Sequence, residues 1–250
     1  LLDRGGLRLW HGDDSQFSAP RASLRLGLYS PLANDSARHA VLLRLYAAMV
    51  ADSLNPQLYP ALLAGFSTQI HHSRLGLQVS IDGFSDKQDQ LLELMLDEIQ
   101  RAPIDPQRFE DIKRQMVRGW QNSKLTAPYT YLPGALRNAL YTPYWDEDAK
   151  LAAVESLRPR DLEAYRKEFL AGIRIDALTY GNTSRQQALA LGQQLEPMLQ
   201  GKGGSDLPGI ELTLLNHGER WRYPLALEHD DAAIVYYVQG VSDDNHQRVM

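Results

Sequence analysis

From Ser23 to Tyr29 the chain alternates polar and apolar side chains with a period of two, the mark of a strand with one buried face. Leu75, Leu77, Val79 and Ile81 repeat the pattern. With Thr68–His72 before them they predict two strands joined around Ser73-Arg74. Arg8–His11 reads as a short strand closed by a turn at Gly12-Asp13-Asp14, and Ile173–Tyr180 as another, ended by Gly181-Asn182. Between these runs the period becomes helical. Asn34-Asp35-Ser36 caps a helix to about Asn55, with Leu42, Leu45, Tyr46, Met49 and Ser53 in phase and Leu43 and Val50 widening the stripe. Asn55-Pro56 is expected to break it, because a residue before proline is pushed out of the α region. A second helix then covers Gln57 to Gly65.

Ser85 with Gln88 three residues on has the form of a capping box, opening a helix that buries Leu91, Leu92, Met95 and Ile99 and stops at Pro103. Asp105-Pro106 starts the next, where the missing proline N–H costs nothing, and Phe109, Ile112, Met116 and Trp120 follow on one face. Further helices are predicted over Ala127–Tyr141, Asp146–Val154, from Pro159 (Leu162, Tyr165, Phe169) and over Ser184–Leu199 (Ala188, Leu191, Leu195). Strands in hairpins and helices in runs predict an α+β fold, with helices packed on one face of a mainly antiparallel sheet.

Residues 201–208, Gly-Lys-Gly-Gly-Ser-Asp-Leu-Pro, form a flexible linker by composition. Beyond it, Ile210–Leu215, Trp221–Tyr223 and Ala233–Val238 are strand-like. Placing Ile234–Gly240 over Leu24–Ser30 also sets Asp244-Asn245 on Asn34-Asp35 and Arg248 on Arg38. The organisation expected is one domain over 1–200, a linker over 201–208, and the first strands of a second, truncated copy over 209–250.

With 44% hydrophobic and 23% charged residues, the 250-residue chain is no disordered polymer. Its 26 basic against 31 acidic residues, net charge −5, argue against nucleic acid as a partner. No apolar run approaches the length of a bilayer span, so no membrane partner is expected. Cysteine is absent, which removes disulfides, thiol nucleophiles and Cys-based zinc sites and fits periplasm or cytoplasm alike. The opening Leu1-Leu2-Asp3 has no signal-type segment and reads as the interior of a longer protein.

Candidate chemistry is sparse. There is no Gly-x-Ser-x-Gly elbow, and the glycines of 201–204 fit neither phosphate-binding fingerprint. Seven histidines stand at 11, 39, 71, 72, 217, 229 and 246, none in His-x-x-x-His spacing. His71 and His72 are adjacent on a strand and point to opposite faces, so they cannot easily share a metal. Asp13-Asp14, Asp230-Asp231 and Asp243-Asp244 are explained by turn chemistry. Trp10, Trp120, Trp145 and Trp221 are scattered, as core anchors would be.

Several blocks in one order resemble the third domain of the pitrilysin/insulysin (M16, inverzincin) family of zinc metallopeptidases. They are Leu9-Trp10 with Asp13-Asp14 and Phe17, Pro20-Arg21-Ala22, Tyr29 to Ala33, Asp52-Ser53-Leu54-Asn55 and Leu63-Ala64-Gly65. Gly83-Phe84-Ser85-Asp86-Lys87-Gln88, Arg108-Phe109-Glu110 with Ile112-Lys113, and Tyr180-Gly181-Asn182 follow. The resemblance implies a LuxS/MPP-like metallohydrolase-type domain, one of four similar domains forming two halves of a closed, peptide-degrading chamber. It also implies a zinc site in the first domain, held by an inverted His-x-x-Glu-His motif and a downstream Glu.

Laid on this chain, the motif falls on His39-Ala40-Val41-Leu42-Leu43. Leu42 then replaces the general base and Leu43 the second ligand, and no carboxylate lies near Arg118 to Trp120 for the third. His39 reads as a polar residue of the first helical turn. The resemblance thus implies a non-catalytic piece of a zinc endopeptidase, with zinc in the full-length parent and none here. Its partners would be peptide substrates and the catalytic N-terminal half, in a bacterial periplasm or cytoplasm. A catalytically inactive scaffold or partner subunit, or a peptidase dedicated to the PQQ precursor, are the alternatives.

Overall fold

The structure is a computed structural model describing residues 1–14, 19–123, 125–199, 211–225, 227 and 229–240. The predicted linker, Ile210, Phe17, Asp243-Asp244, His246 and Arg248 fall outside them. The fold is α+β, as the patterns predict. Six strands form one sheet: β1 (Leu2–Arg4), β2 (Leu7–Asp13), β3 (Arg21–Tyr29), β4 (Ser67–His72), β5 (Gly76–Phe84) and β7 (Arg174–Gly181), in the order β1-β2-β7-β3-β5-β4. Every neighbouring pair is antiparallel except β2 with β7, which run parallel from Leu7↔Ile175 to Asp13↔Gly181. That parallel ladder carries β2 on through Gly12 and Asp13, where the sequence suggests a turn.

One face of the sheet is core. Leu7, Leu9, Leu24, Leu26, Leu28, Leu77, Val79, Ile81, Ile175 and Ala177 are all buried, because alternate side chains of each strand point the same way. Against them pack α1 (Ala37–Leu63), α2 (Gln88–Arg101), α3 (Pro106–Ser123), α5 (Glu147–Glu155), α6 (Pro159–Ala171) and α7 (Arg185–Leu195). An aromatic series fixes α6 to α1: the Tyr165 and Phe169 rings lie 5.8 Å apart, and Phe169 meets Tyr46 edge-on at 6.2 Å. The Tyr46 hydroxyl donates to the Ile99 carbonyl, tying α2 to the same point. At the rim, Arg108 pairs with Asp52 through two of its nitrogens. Lys113 donates to the carbonyls of Glu155 (3.2 Å) and Leu157 (2.9 Å) at and just past the end of α5, where Arg158 donates to the same two acceptors.

Helix α1 does not break at Pro56. It runs on through Pro56 and Pro60 to Leu63. Both prolines lie on the exposed side of the helix, while Leu54 is buried and Leu58 packs on the core in phase with it. Burial of the stripe outweighs the local preference. The capping box at Ser85 is not formed either. Lys87 takes a left-handed φ of 65° and α2 starts at Gln88, whose amide donates to the Ala22 carbonyl (2.8 Å) while the Ser85 N–H donates to Pro20 (3.0 Å). A contact to β3 thus replaces the local cap.

Helix α4 (Pro128–Leu140) leads into β6 (Tyr141–Thr142), which pairs with β8 (Glu211–Leu212). The other predicted late strands do not form: Trp221–Tyr223 and Ala233–Val238 have no ladder partner among the described residues. A strand without a neighbour has no hydrogen bonds to hold it. Ile234 stands 82% exposed, and among the described residues Gln239 ties this segment back, accepting from the Leu215 N–H at 2.6 Å and donating to the Thr213 carbonyl at 3.3 Å.

Candidate functional site

The N-terminal turn of α1 is the place to test for a metal. Ser36 caps the helix by accepting from the His39 N–H at 3.1 Å. The His39 ring is already engaged, with Nδ1 2.6 Å from Asp35 Oδ1 and its face 5.3 Å from Tyr165. One turn on, Leu42 and Leu43 are 2% and 1% exposed, inside the core. On α3, Arg118 and Gly119 are exposed, and Trp120 turns inward beneath the Arg44 guanidinium, 5.2 Å from its ring centre. A zinc ion needs three or four N, O or S donors converging on one point. Here the converging positions offer two leucines, an indole and a guanidinium, which do not fit zinc. Among the described residues no three His, Asp or Glu groups approach closely enough to hold a metal.

Beside that point, where α1, β4 and α5 meet, lies a corner rich in positive charge. Arg44 comes from α1, His72 from the end of β4, and Lys150 from α5. The Lys150 ammonium sits 5.5 Å over the Tyr144 ring and 3.5 Å from the Glu147 carboxylate. Burial lowers the Arg44 guanidinium against the pull of Glu147, and lowers the Lys150 ammonium against Glu147 and Asp146. Burial together with the charges of Arg44, His71 and Lys150 pushes the His72 imidazole down to about 4. Beneath Arg44, the buried Trp120 Nε1 has no acceptor among the described residues.

A sequence model described as the middle or third domain of peptidase M16 matches residues 1–153. The chain belongs to the M16 peptidase family. Human insulin-degrading enzyme is 31% identical over 80% of this chain. The crystal structure of pitrilysin superposes with a TM-score of 0.74 at 23% identity over 83% of the chain. A peptidase M16 inactive domain from Pseudomonas fluorescens superposes over 83% with a TM-score of 0.63 at 18% identity. This M16 chain matches only 20% of the length of the human enzyme and 22% of the pitrilysin chain.

The remaining candidates of the M16 domain are dispersed. His71 faces the open side of the sheet, Nε2 2.8 Å from Gln78 Oε1, while His72 faces the helices. His11 Nδ1 lies 3.0 Å from Thr179 Oγ1. His229 Nδ1 accepts from the Asp231 N–H at 2.9 Å, a local turn contact, and Asp230 is exposed. The tryptophans are not all core anchors. Trp120 is buried, and Trp145 donates to the Asn34 carbonyl at 3.2 Å. Trp10 is 47% exposed because its register in β2 points it away from the helices, and Trp221 is exposed as well. Trp10 lines a depression of about 620 Å³ on the open face of the sheet with Tyr29, Gln69, His71 and Leu178. There Asp82 accepts from Ser23 (2.6 Å) and Arg25 (2.9 Å). Partial burial opposes its ionisation, yet these partners hold it below the usual carboxylate range.

His72 also gives the domain a pH dependence. The unfolded imidazole takes up its proton near pH 6.5, whereas the folded one resists until about 4. Protonation therefore favours the unfolded chain, and stability present above pH 6.5 declines as pH falls to 4. His72→Gln is expected to flatten the fall of the thermal midpoint across that window. An unchanged slope in the variant would assign the decline to other groups.

Proposed function

We propose that this chain is a non-catalytic third domain, followed by the opening of a fourth, of a longer M16 zinc endopeptidase. In that reading it forms part of the wall of a closed chamber, confining peptides while a catalytic half elsewhere in the parent supplies the zinc and the activated water. The observation that carries the reading is the packing of Leu42 and Leu43 into the core. A leucine cannot take a proton from water, and a lone His39 engaged by Asp35 cannot hold catalytic zinc. The matches to a fifth or so of longer M16 proteins, and the likeness to an M16 domain described as inactive, support it.

The experiment uses two proteins side by side: this chain and its full-length parent. Zinc titration and hydrolysis of an unstructured fluorogenic peptide are expected to be positive for the parent and negative for the chain. One tight zinc site on the chain, with peptide hydrolysis, would overturn the assignment. A parent that neither binds zinc nor cleaves would replace the endopeptidase with an inactive scaffold.

A further inference from the structure

We propose that the corner formed by Arg44, His72 and Lys150 is a binding site for the carboxylate of an acidic peptide. The proposal deepens the peptidase reading and rests on it for the peptide. The site itself rests on donors that the fold brings together, two of which, Arg44 and His72, have no acceptor among the described residues.

Arg44 presents five N–H donors. Among the described residues it has the Trp120 ring at 5.2 Å and the charge of Glu147 nearby, but no oxygen accepting a hydrogen bond from it. His72 likewise has no hydrogen-bond partner there, and the cations Arg44 and Lys150 both act against its protonation. Among the described residues Lys150 is held by the Glu147 carboxylate at 3.5 Å and lies over the Tyr144 ring. The other acid near it, Asp146, has its Oδ1 committed to capping α5 through the Ala149 N–H at 2.8 Å. Beneath Arg44, the buried Trp120 Nε1 is a further donor without an acceptor among the described residues.

Half-buried cations cost free energy unless an anion meets them, and a planar carboxylate matches the guanidinium fork. The corner is reachable, since His72 closes an edge strand with part of its surface open to water, though its imidazole lies among protein groups, and Arg44 and Lys150 are half-buried. The carboxylate would accept from Arg44 and Lys150 and draw the His72 imidazole towards its protonated, donating form.

The same carboxylate chemistry is offered by an acidic side chain and by a free acid, so the test carries both. The intact chain is titrated with a blocked tripeptide, acetyl-Gly-Glu-Gly-amide, with its Gln analogue, and with acetate, while NMR follows the His72 imidazole as a function of pH. The Glu peptide is expected to raise the His72 midpoint by about one unit. The Gln peptide and acetate at equal concentration are expected to leave it in place. Arg44→Gln and Lys150→Gln, each checked for an unchanged fold by circular dichroism, are expected to weaken binding of the Glu peptide about tenfold. Equal effects of acetate and the Glu peptide would overturn the peptide assignment. No movement of His72 with any ligand would overturn the site. Neither readout involves cleavage, so failure here is distinct from failure of the zinc and hydrolysis assay above.

Discussion

Writing the inverted zinc motif into α1 by the paired change Leu42→Glu and Leu43→His is expected to unfold the domain rather than create a metal site. Both leucines are in the core, 2% and 1% exposed. Losing a buried leucine typically costs about 2–5 kcal/mol. A carboxylate placed in this apolar core without a partner adds several more. Domains of this size are held by about 5–15 kcal/mol in all. The pair should therefore remove the cooperative urea transition seen by circular dichroism, and calorimetric titration should detect no stoichiometric zinc. A folded variant with one tight zinc site would mean that this face of α1 can open towards a groove, and the non-catalytic reading would fall with it.

Gly76→Ala is expected to be nearly as damaging by a purely steric route. Gly76 opens β5 at a φ of +152°, and an added Cβ would stand 1.9 Å from the Leu28 carbonyl oxygen. That oxygen belongs to β3, the strand flanked by β5 and β7, so it cannot retreat without disturbing both ladders. The loss should be on the order of 3 kcal/mol or more, read as a lower urea midpoint with an unchanged slope. Gly119→Ala is the control. It lies on an exposed face of α3 with nothing within 4 Å of its added Cβ, and should gain about 0.5–1 kcal/mol. If both variants behaved alike, the close approach of β5 to β3 would not govern stability.

The elements that sequence alone placed well are those whose period and end signals agree. Ser184 closes a true capping box with Gln187, and Pro106 and Pro159 begin their helices. The inward phase of β3 and β5 is the phase read from their alternation. Two of the failures share one feature: a distant partner outweighed a local preference. Pro56 did not stop α1, because Leu54 and Leu58 keep its stripe on the core. Gln88 reached Ala22 rather than its own helix terminus. Ala233–Val238 differs: it has strand composition but, among the described residues, no strand to lie beside.

The candidate site divides in the same way. That Leu42 and Leu43 stand where a metal motif would be legible can be read residue by residue, and so can the solitary His39. The cationic corner cannot, because Arg44, His72 and Lys150 come from three elements far apart in sequence. One signal was available: Arg44 interrupts the apolar run Leu42-Leu43-Arg44-Leu45-Tyr46 on a helix otherwise committed to the core.

Sequence by itself determined the fold class, the buried face of most elements and the family, because periodicity and short-range end chemistry are written in neighbouring residues. Tertiary structure alone decided the sheet order with its single parallel pair, the continuity of α1 through two prolines, and which polar groups meet. Those depend on contacts between residues remote in the chain, whose free energies exceed the local propensities they override.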